Sequence, residues 1–254
     1  MTRFTLITTA MVIAIVSSAA AEDRFPTQRS EEFEWGIGLG ALIEDEGYRD
    51  LDFDTSAIPV LYMGNKYFRF FANQLDFQLV NNERVMFGLK LEGRFDGFEA
   101  KDDPYFEGME DRDGGFFAGV RAEYKTPYGN IVGEWQSDVS GNSDGSYGAL
   151  GSYWSFRTGR GLWVPKVALE YYDSSYTDYY FGVRPDEVRA DRPAYEADSA
   201  IHLDVGLDYI FDLADRHQLI TSVKYRRYDS EVKDSPLVDA SGSPRVNIGY
   251  LYTF

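Results

Sequence analysis

Apolar and polar side chains alternate with a period of two over almost the whole chain after its N-terminal segment. The clearest run sets Ile201, Leu203, Val205, Leu207, Tyr209 and Phe211 against His202, Asp204, Gly206 and Asp208. Successive side chains of a β-strand point to opposite faces, so this pattern predicts strands with one apolar and one polar face. The chain shows no sustained helical period of 3.6, and we expect helices to be minor.

The alternation predicts twelve strands. They lie near 33–44, 55–63, 67–72, 74–80, 84–98, 114–126, 129–140, 146–158, 162–176, 199–212, 217–230 and 244–254. The segment 67–80 must hold two short strands or fold differently, so ten strands is the fallback count.

The strands and their connections indicate a membrane barrel. Many of the runs reach the roughly nine to eleven residues that a tilted strand needs to cross a bilayer. Short turns near 64–66, 81–83, 126–129, 158–161 and 214–216 alternate with long polar links near 45–56, 99–113, 140–146, 177–198 and 229–243. Short periplasmic turns and long external loops are typical of outer-membrane barrels. We therefore predict an all-β, antiparallel, up-and-down transmembrane β-barrel in the cell outer membrane.

The polar faces must look into the lumen, because only the apolar faces can contact lipid. The predicted lumen-lining residues are Lys90, Glu92, Arg94, Arg121, Glu123, Glu134, His202, Asp204, Asp208, Lys224 and Arg226. Charges of mixed sign in a barrel of this size are expected to pair across strands and fill the interior. The alternative is that they line a polar pore and set its selectivity.

The N-terminus predicts an exported protein. Arg3, the apolar stretch 4–17 and the small residues 19–21 form a secretory signal peptide over 1–21, followed by one barrel domain over 22–254. The formal net charge of −17 argues against nucleic acid as a partner. Aromatic residues make up 16% of the chain, and many sit near predicted strand ends, where membrane interfaces favour them.

Catalysis and metal binding have weak support in the sequence. The chain has no cysteine and only two histidines, His202 and His217. Ser199 or Ser222 could be paired with His202, but neither lies in a G-x-S-x-G turn. We expect His202 to be bonded to neighbouring carboxylates and His217 to be solvated.

Acidic loops, including "DRDGG" at 111–115, could bind divalent cations or bridge them to lipopolysaccharide, but a solvated loop is the simpler interpretation. We predict no catalytic, cofactor or metal site.

The chain ends on "VNIGYLYTF", a regular strand that turns Val246, Ile248, Tyr250, Tyr252 and Phe254 to one side. We predict that this is the closing strand, paired with the first strand near 35–43. Its aromatic residues Tyr250, Tyr252 and Phe254 resemble the signal read by the barrel-assembly machinery.

Three segments resemble the MipA/OmpV family, the MltA-interacting protein group of Gram-negative outer membranes. They are "WGIGLGALIEDEGYRD", "IPVLYMGNKYFRFFANQLDFQLV" and, most specifically, "YYFGVRPDEVRADRPAYEADSA". The resemblance implies a non-enzymatic barrel embedded in lipid and lipopolysaccharide. It further implies a scaffold that contacts a lytic transglycosylase and a peptidoglycan synthase. A small solute pore and a surface adhesin acting through the long loops are the alternatives.

Overall fold

The computed structural model describes residues 32–51 and 53–254. The strands are β1 Glu34–Glu44, β2 Asp54–Gly64, β3 Phe68–Phe71, β4 Gln74–Asn81, β5 Val85–Arg94, β6 Gly115–Thr126, β7 Gly129–Asp138, β8 Ser146–Tyr153, β9 Phe156–Thr158, β10 Gly161–Tyr172, β11 Ala200–Ala214, β12 His217–Arg227 and β13 Gly242–Thr253. Two helices, α1 Ser174–Phe181 and α2 Ser230–Lys233, follow β10 and β12. The predicted signal peptide lies outside the described residues.

The strands form a closed antiparallel barrel. Apart from the short β9, each strand pairs with the next one along the chain, and β13 pairs with β1 from Gly36 opposite Thr253 to Glu44 opposite Arg245. β8 and β9 occupy one position in the wall, since both pair with β10. Between them the Trp154 N–H donates to the Pro165 carbonyl at 3.0 Å, and Pro165 has no N–H to return the bond. The wall therefore has twelve strand positions, which confirms the predicted fold and count.

The segment 67–80 forms two short strands joined by a tight turn. β2 pairs with β3 only over Tyr62–Gly64, and the Ala72 N–H bonds the Leu61 carbonyl at 3.0 Å at the top of this pairing. Successive residues of a strand point their backbone N–H and C=O groups to opposite sides, so Pro59 faces the same side as Leu61. A proline suits this edge because no strand is there to accept an N–H. The β2–β3 pairing covers only three residue pairs, so the barrel wall is short along the barrel axis at this point.

Three strands end earlier than the alternation predicts, all at the end that carries the long loops. β5 ends at Arg94 instead of 98, β10 at Tyr172 instead of 176, and β12 at Arg227 instead of 230. Asp173 and Asp229 cap the two helices that begin there, each accepting a backbone N–H from the first turn. The residues after each strand end include aromatic side chains that turn inward over the lumen. They prolong the pattern of apolar residues in the sequence, so the predicted strands are longer than the real ones.

The two faces of the wall differ in polarity. Outward positions carry exposed apolar side chains such as Leu39, Leu89, Val120 and Ile201, as a lipid-facing surface requires. Inward positions carry the buried polar and charged residues. We call the end with short turns periplasmic and the end with long loops extracellular.

No helix among the described residues is long and apolar enough to cross a membrane.

Candidate functional site

The candidate site is the lumen, which the side chains fill at three levels. The periplasmic half holds an apolar cluster as well as the buried ion pair of Arg69 and Asp76. Buried side chains from the strands meet there in one cluster, which we call the periplasmic layer: Val60, Tyr62, Phe71, Ala72, Tyr153, Leu162, Val164, Ile210, Ile220 and Leu251. Except for Ala72, in the turn after β3, each comes from an inward position of its strand, so side chains of the wall itself pack together at this end.

The middle of the lumen is charged. The structure turns the side chains of all eleven predicted lumen residues to the interior; His202 stands at the extracellular end of this level. Glu134, Lys224 and Arg226 are half-buried, and the other eight are buried. A buried charge needs a partner and further hydrogen bonds to be tolerated. The structure supplies these partners in two groups.

The first ion network lies on β5, β6 and β7. Lys90 contacts Glu92 at 2.8 Å and Glu134 at 3.2 Å. Arg121 lies farther from its carboxylates, at 3.6 Å from Glu123 and 3.7 Å from Glu134. Two tyrosines of β8 complete the network. The Tyr147 hydroxyl donates to Glu134 and the Tyr153 hydroxyl to Glu123, each at 2.6 Å.

The second ion network lies on β10, β11 and β12. Arg226 binds two carboxylates at once, with its Nε 3.0 Å from Asp204 and its Nη2 2.5 Å from Glu170. Lys224 contacts the same two carboxylates. One level nearer the periplasm, Asp208 accepts from Lys166 at 2.7 Å and from the Ser222 hydroxyl at 2.5 Å. A cavity of about 150 Å³ separates the two networks.

Arg94 joins the charged middle to the extracellular end. Its guanidinium lies 4.4 Å from the ring centre of Tyr147, donates to the Tyr172 hydroxyl at 3.1 Å and pairs with Asp96 at 3.1 Å. The Tyr176 hydroxyl of α1 donates to the same Asp96 carboxylate at 2.6 Å. The first helix of the loops is therefore linked through Asp96 to Arg94, a charge on the barrel wall.

Four loops cover the extracellular end of the lumen. We call them the extracellular cap: residues 45–51, 95–114, 173–199 and 228–241. α1 lays Tyr176 and Tyr180 into an aromatic cluster with Phe117, Tyr147 and Tyr172 of the wall. A second cluster joins Tyr48, Phe98, Phe106, Val183 and Leu237 from all four loops. The loops thus fold inward and pack against one another.

A buried ion pair holds two of these loops together. Arg112 donates to both oxygens of Glu187, at 2.9 and 2.7 Å, and the two side chains are 1% and 2% exposed. Burial alone would raise the pKa of Glu187, but the hydrogen bonds from Arg112 and the backbone hold it below its usual value. Arg112 Nη2 bonds both oxygens, and its Nη1 donates to the Glu110 carbonyl at 2.7 Å, so the guanidinium links the two loops.

Two carboxylates of the cap have opposite electrostatic environments. Burial raises the pKa of Glu46 well above its usual value, and the neighbouring Glu44 and Asp96 raise it further. Burial would also raise the pKa of Asp96, but the charges of Arg94 and Arg245 outweigh it and lower the pKa. Asp96 is therefore a stabilising charge, whereas a charged Glu46 is unfavourable in the folded state.

The histidines are placed differently from the sequence-based expectation. We expected carboxylate partners for His202, but its Nδ1 accepts the Asp229 backbone N–H at 3.1 Å, and its ring packs against Tyr172 and Tyr228. His217 is half-buried, with its Nδ1 2.5 Å from the Tyr250 hydroxyl. The Ser222 hydroxyl donates to Asp208, and His202 accepts from Asp229. The two residues therefore do not form the serine–histidine pair that the sequence allows.

The acidic residues of loop 95–114 mostly organise the loop itself. Asp102, Asp103 and Asp111 each accept a backbone N–H within that loop. Within the described ranges, no group of three or more acidic or histidine residues is arranged to hold a metal ion.

Several interior residues were missed from the sequence. They are Glu44, Arg69, Asp76, Gln136, Tyr147, Tyr153, Lys166, Glu170 and Arg245. Period-two parity could have found Lys166 and Glu170, which share a face with Leu162 and Val164. Arg69 and Asp76 lie in the short β3–β4 hairpin, where the pattern is too brief to define a face.

The C-terminal strand closes the barrel as the pattern predicts. Phe254 donates its backbone N–H to the Trp35 carbonyl at 2.9 Å, and the two rings stack with centres 3.8 Å apart. Tyr252 meets Phe254 edge to face at 4.8 Å. The predicted assembly-signal residues thus also join the last strand to the first.

Comparison with known proteins agrees with this architecture. The profile of the family "MltA-interacting protein MipA" matches residues 37–254. The protein YiaT of Escherichia coli is 28% identical over 83% of this chain and 87% of its own length. The outer membrane protein OmpV of Vibrio cholerae is 25% identical over 89% and 88%. The MltA-interacting protein of Escherichia coli is 25% identical over the full length of both. The chain is therefore an outer-membrane barrel that belongs to the MltA-interacting protein MipA family.

Proposed function

We propose that this protein is a non-conducting structural barrel that acts as a scaffold in the outer membrane. The single observation that carries the proposal is the filled lumen. The periplasmic layer, the two ion networks and the extracellular cap occupy successive levels of the barrel. A rigid, filled barrel suits a protein whose function lies in its surface contacts. The proposal assigns no catalysis to the chain.

The proposed partners are a lytic transglycosylase and a peptidoglycan synthase. The full-length relative from Escherichia coli is named MltA-interacting protein, which supports a protein partner of this kind. The periplasmic turns are the surface available to it. Tyr128, in the turn between β6 and β7, is 87% exposed, and Tyr67 also projects from its turn. Exposed aromatic side chains are frequent anchors of protein interfaces.

A capture experiment tests the scaffold. The mature barrel, reconstituted in lipid nanodiscs, is immobilised and exposed to periplasmic extract, with an unrelated filled barrel as the control. We expect retention of a lytic transglycosylase or a peptidoglycan synthase, and weaker retention by a Tyr67→Ser, Tyr128→Ser variant. Glu110→Gln on the extracellular side serves as the matched variant and should retain both. Retention no better than by the unrelated barrel contradicts the proposal.

The cavity between the ion networks favours a solute pore as the second candidate. A pore would need the periplasmic layer and the cap to open on either side of it. Its signature is stable conductance in planar bilayers that changes with Arg94→Glu or Arg121→Glu.

The adhesin alternative depends on loop 177–198, which the cap uses for its own packing through Tyr180 and Glu187. Shortening this loop would therefore disturb the cap as well as any external surface.

We also propose that Tyr250, Tyr252 and Phe254 are read by the assembly machinery. Deleting Phe254 should lower the amount of inserted barrel. Trp35→Leu removes the same ring stack from the other side and leaves the C-terminal residue in place. If the two variants insert equally poorly, the stack rather than a recognition signal explains the requirement.

A further inference from the structure

The cavity in the middle of the lumen has a wall of unusual chemistry. Its charged lining residues are Lys90, Arg94, Arg121, Lys166, Lys224 and Arg226, with Glu92, Glu134, Glu170 and Asp204. Cations thus outnumber carboxylates six to four around the space. Its volume of about 150 Å³ is well above the roughly 10–15 Å³ that one water molecule needs in a cavity. A small ion and some water would fit.

Two lysines reach this cavity from either side of a glycine. In the sheet, Gly206 of β11 stands opposite Lys166 of β10 and opposite Lys224 of β12. A Cβ at Gly206 would lie 2.6 Å from Cε of Lys166. The absence of a side chain on β11 therefore lets Lys166 lie over the strand that separates it from Lys224. The lining residues Ala149, Gly151 and Ala168 are also small and leave the space open.

In the second ion network, the cationic groups face the cavity more than their carboxylate partners do. The side chains of Lys166, Lys224 and Arg226 are 18%, 19% and 16% exposed, while Glu170, Asp204 and Asp208 are 13%, 5% and 0% exposed. All three cations line the cavity, so this exposure opens into it. A lysine ammonium has three protons, and Lys166 directs one of them to Asp208. Asp204 and Asp208 lie behind the cations and stabilise them, whereas Glu170 lies at the cavity wall beside Lys224 and Arg226.

We infer that this cavity binds a small oxyanion, held by Lys166, Lys224 and Arg226. Phosphate and carboxylate oxygens accept several charge-assisted hydrogen bonds at once, which matches the convergent donors. A metal cation would meet six ammonium and guanidinium groups against four carboxylates at this wall, and the excess of positive charge disfavours it. The site lies inside the barrel and is separate from the periplasmic surface proposed for protein partners.

Titration calorimetry on the refolded mature barrel tests the site, with inorganic phosphate in one arm and succinate in the other. Sodium chloride at matched ionic strength is the reference. Because the cavity lies between the cap and the periplasmic layer, each anion is also added during refolding, and the melting temperature is then measured. We expect saturable one-site binding and a higher melting temperature for at least one anion. The arm with the stronger response tells phosphate from carboxylate chemistry.

Variants connect the binding to these residues. Lys166→Met and Lys224→Met should each weaken binding at least tenfold, while Lys125→Met at a periplasmic turn should leave it unchanged. Gly206→Ala narrows the cavity without removing a charge and should also weaken binding, which covers the case in which a lysine variant fails to fold. The inference is wrong if neither anion binds saturably in either arm, or if Lys125→Met weakens binding as much as Lys166→Met.

Discussion

The two ends of this barrel are closed in different ways. At the periplasmic end, side chains such as Tyr62, Val164 and Ile210 project from the strands and meet across the lumen. At the extracellular end, loops leave the wall and fold over it, held by aromatic clusters and by the Arg112–Glu187 pair. The first closure depends on apolar packing between side chains of the wall, and the second on aromatic packing and a buried ion pair between loops. The periplasmic layer should therefore open only with the barrel, whereas the cap can open by itself.

The junction between the two regions should be the most sensitive point. Arg94→Met removes a buried guanidinium and leaves the half-buried Asp96 beside Tyr176 without its main cation. Breaking one side of a buried pair typically destabilises a protein by about 3–5 kcal/mol, and we expect about 4 kcal/mol here. Urea unfolding in lipid vesicles measures the change. The exposed pair of Arg157 and Asp212 is the control, since Arg157→Met should cost about 1 kcal/mol or less. Equal losses would show that Arg94 has no special position.

Truncating the periplasmic layer should have the next largest effect. Ile210→Ala removes a fully buried side chain from the layer and should lower the free energy of unfolding by about 3 kcal/mol. Ile248→Ala removes the same atoms from the lipid-facing side of β13, where lipid can fill the space, and should cost less. Urea unfolding of the two variants compares them directly. An Ile248→Ala loss as large as that of Ile210→Ala would contradict an interior layer.

Breaking the cap should have a smaller and local effect. Arg112→Met leaves Glu187 unpaired, and because the loops can open to water we expect a loss of about 2 kcal/mol rather than the full penalty of a deep pair. Faster hydrogen exchange should appear over 183–193 and 110–112, with the barrel strands unchanged. Arg184→Met, at the exposed pair with Glu110, should leave exchange at Arg112 and Glu187 as in the wild type. Exchange that spreads into β10 and β11 would mean that the cap and wall unfold together.

The pH dependence of the cap should be the smallest effect and should separate its two carboxylates. The pKa of Asp96 is lowered, so its stabilising charge is present above about pH 3.8 and is lost as the pH falls through its folded value. The pKa of Glu46 is raised, so its charged form destabilises the fold as the pH rises above about 4.5. Thermal unfolding from pH 3 to 8 should show Glu46→Gln more stable than wild type near neutral pH and Asp96→Asn less stable. The reverse order would contradict this assignment.

The predictability of the two regions follows from their physics. The wall was predictable because alternation is a local pattern, and runs such as 201–211 show it over many residues. Parity also assigned Arg121 and Asp204 to the inward face. The cap was not predictable in this way, because Tyr48, Phe98 and Leu237 come together only after the strands have brought distant loops to one end. Pairs such as Arg112 and Glu187 are separated by 75 residues and carry no local signal.

Individual strand ends show the same limit. The stretch after Tyr172 continues an aromatic pattern through Tyr176, which predicted a longer strand. In the structure Asp173 caps a helix instead, and the aromatic residues enter the cap. The β3–β4 hairpin is hard to predict for a different reason. Its strands are too short to show a period, so the pattern does not assign Arg69 and Asp76 to a face.

The central claim is that the lumen is closed at both ends, and planar-bilayer recording of the purified mature barrel tests it most directly. We predict no stable conductance steps under conditions in which an open porin of known conductance gives them in the same membrane. Stable steps from the wild-type barrel, with an ion selectivity that changes in Arg121→Glu, would contradict the account and favour a pore.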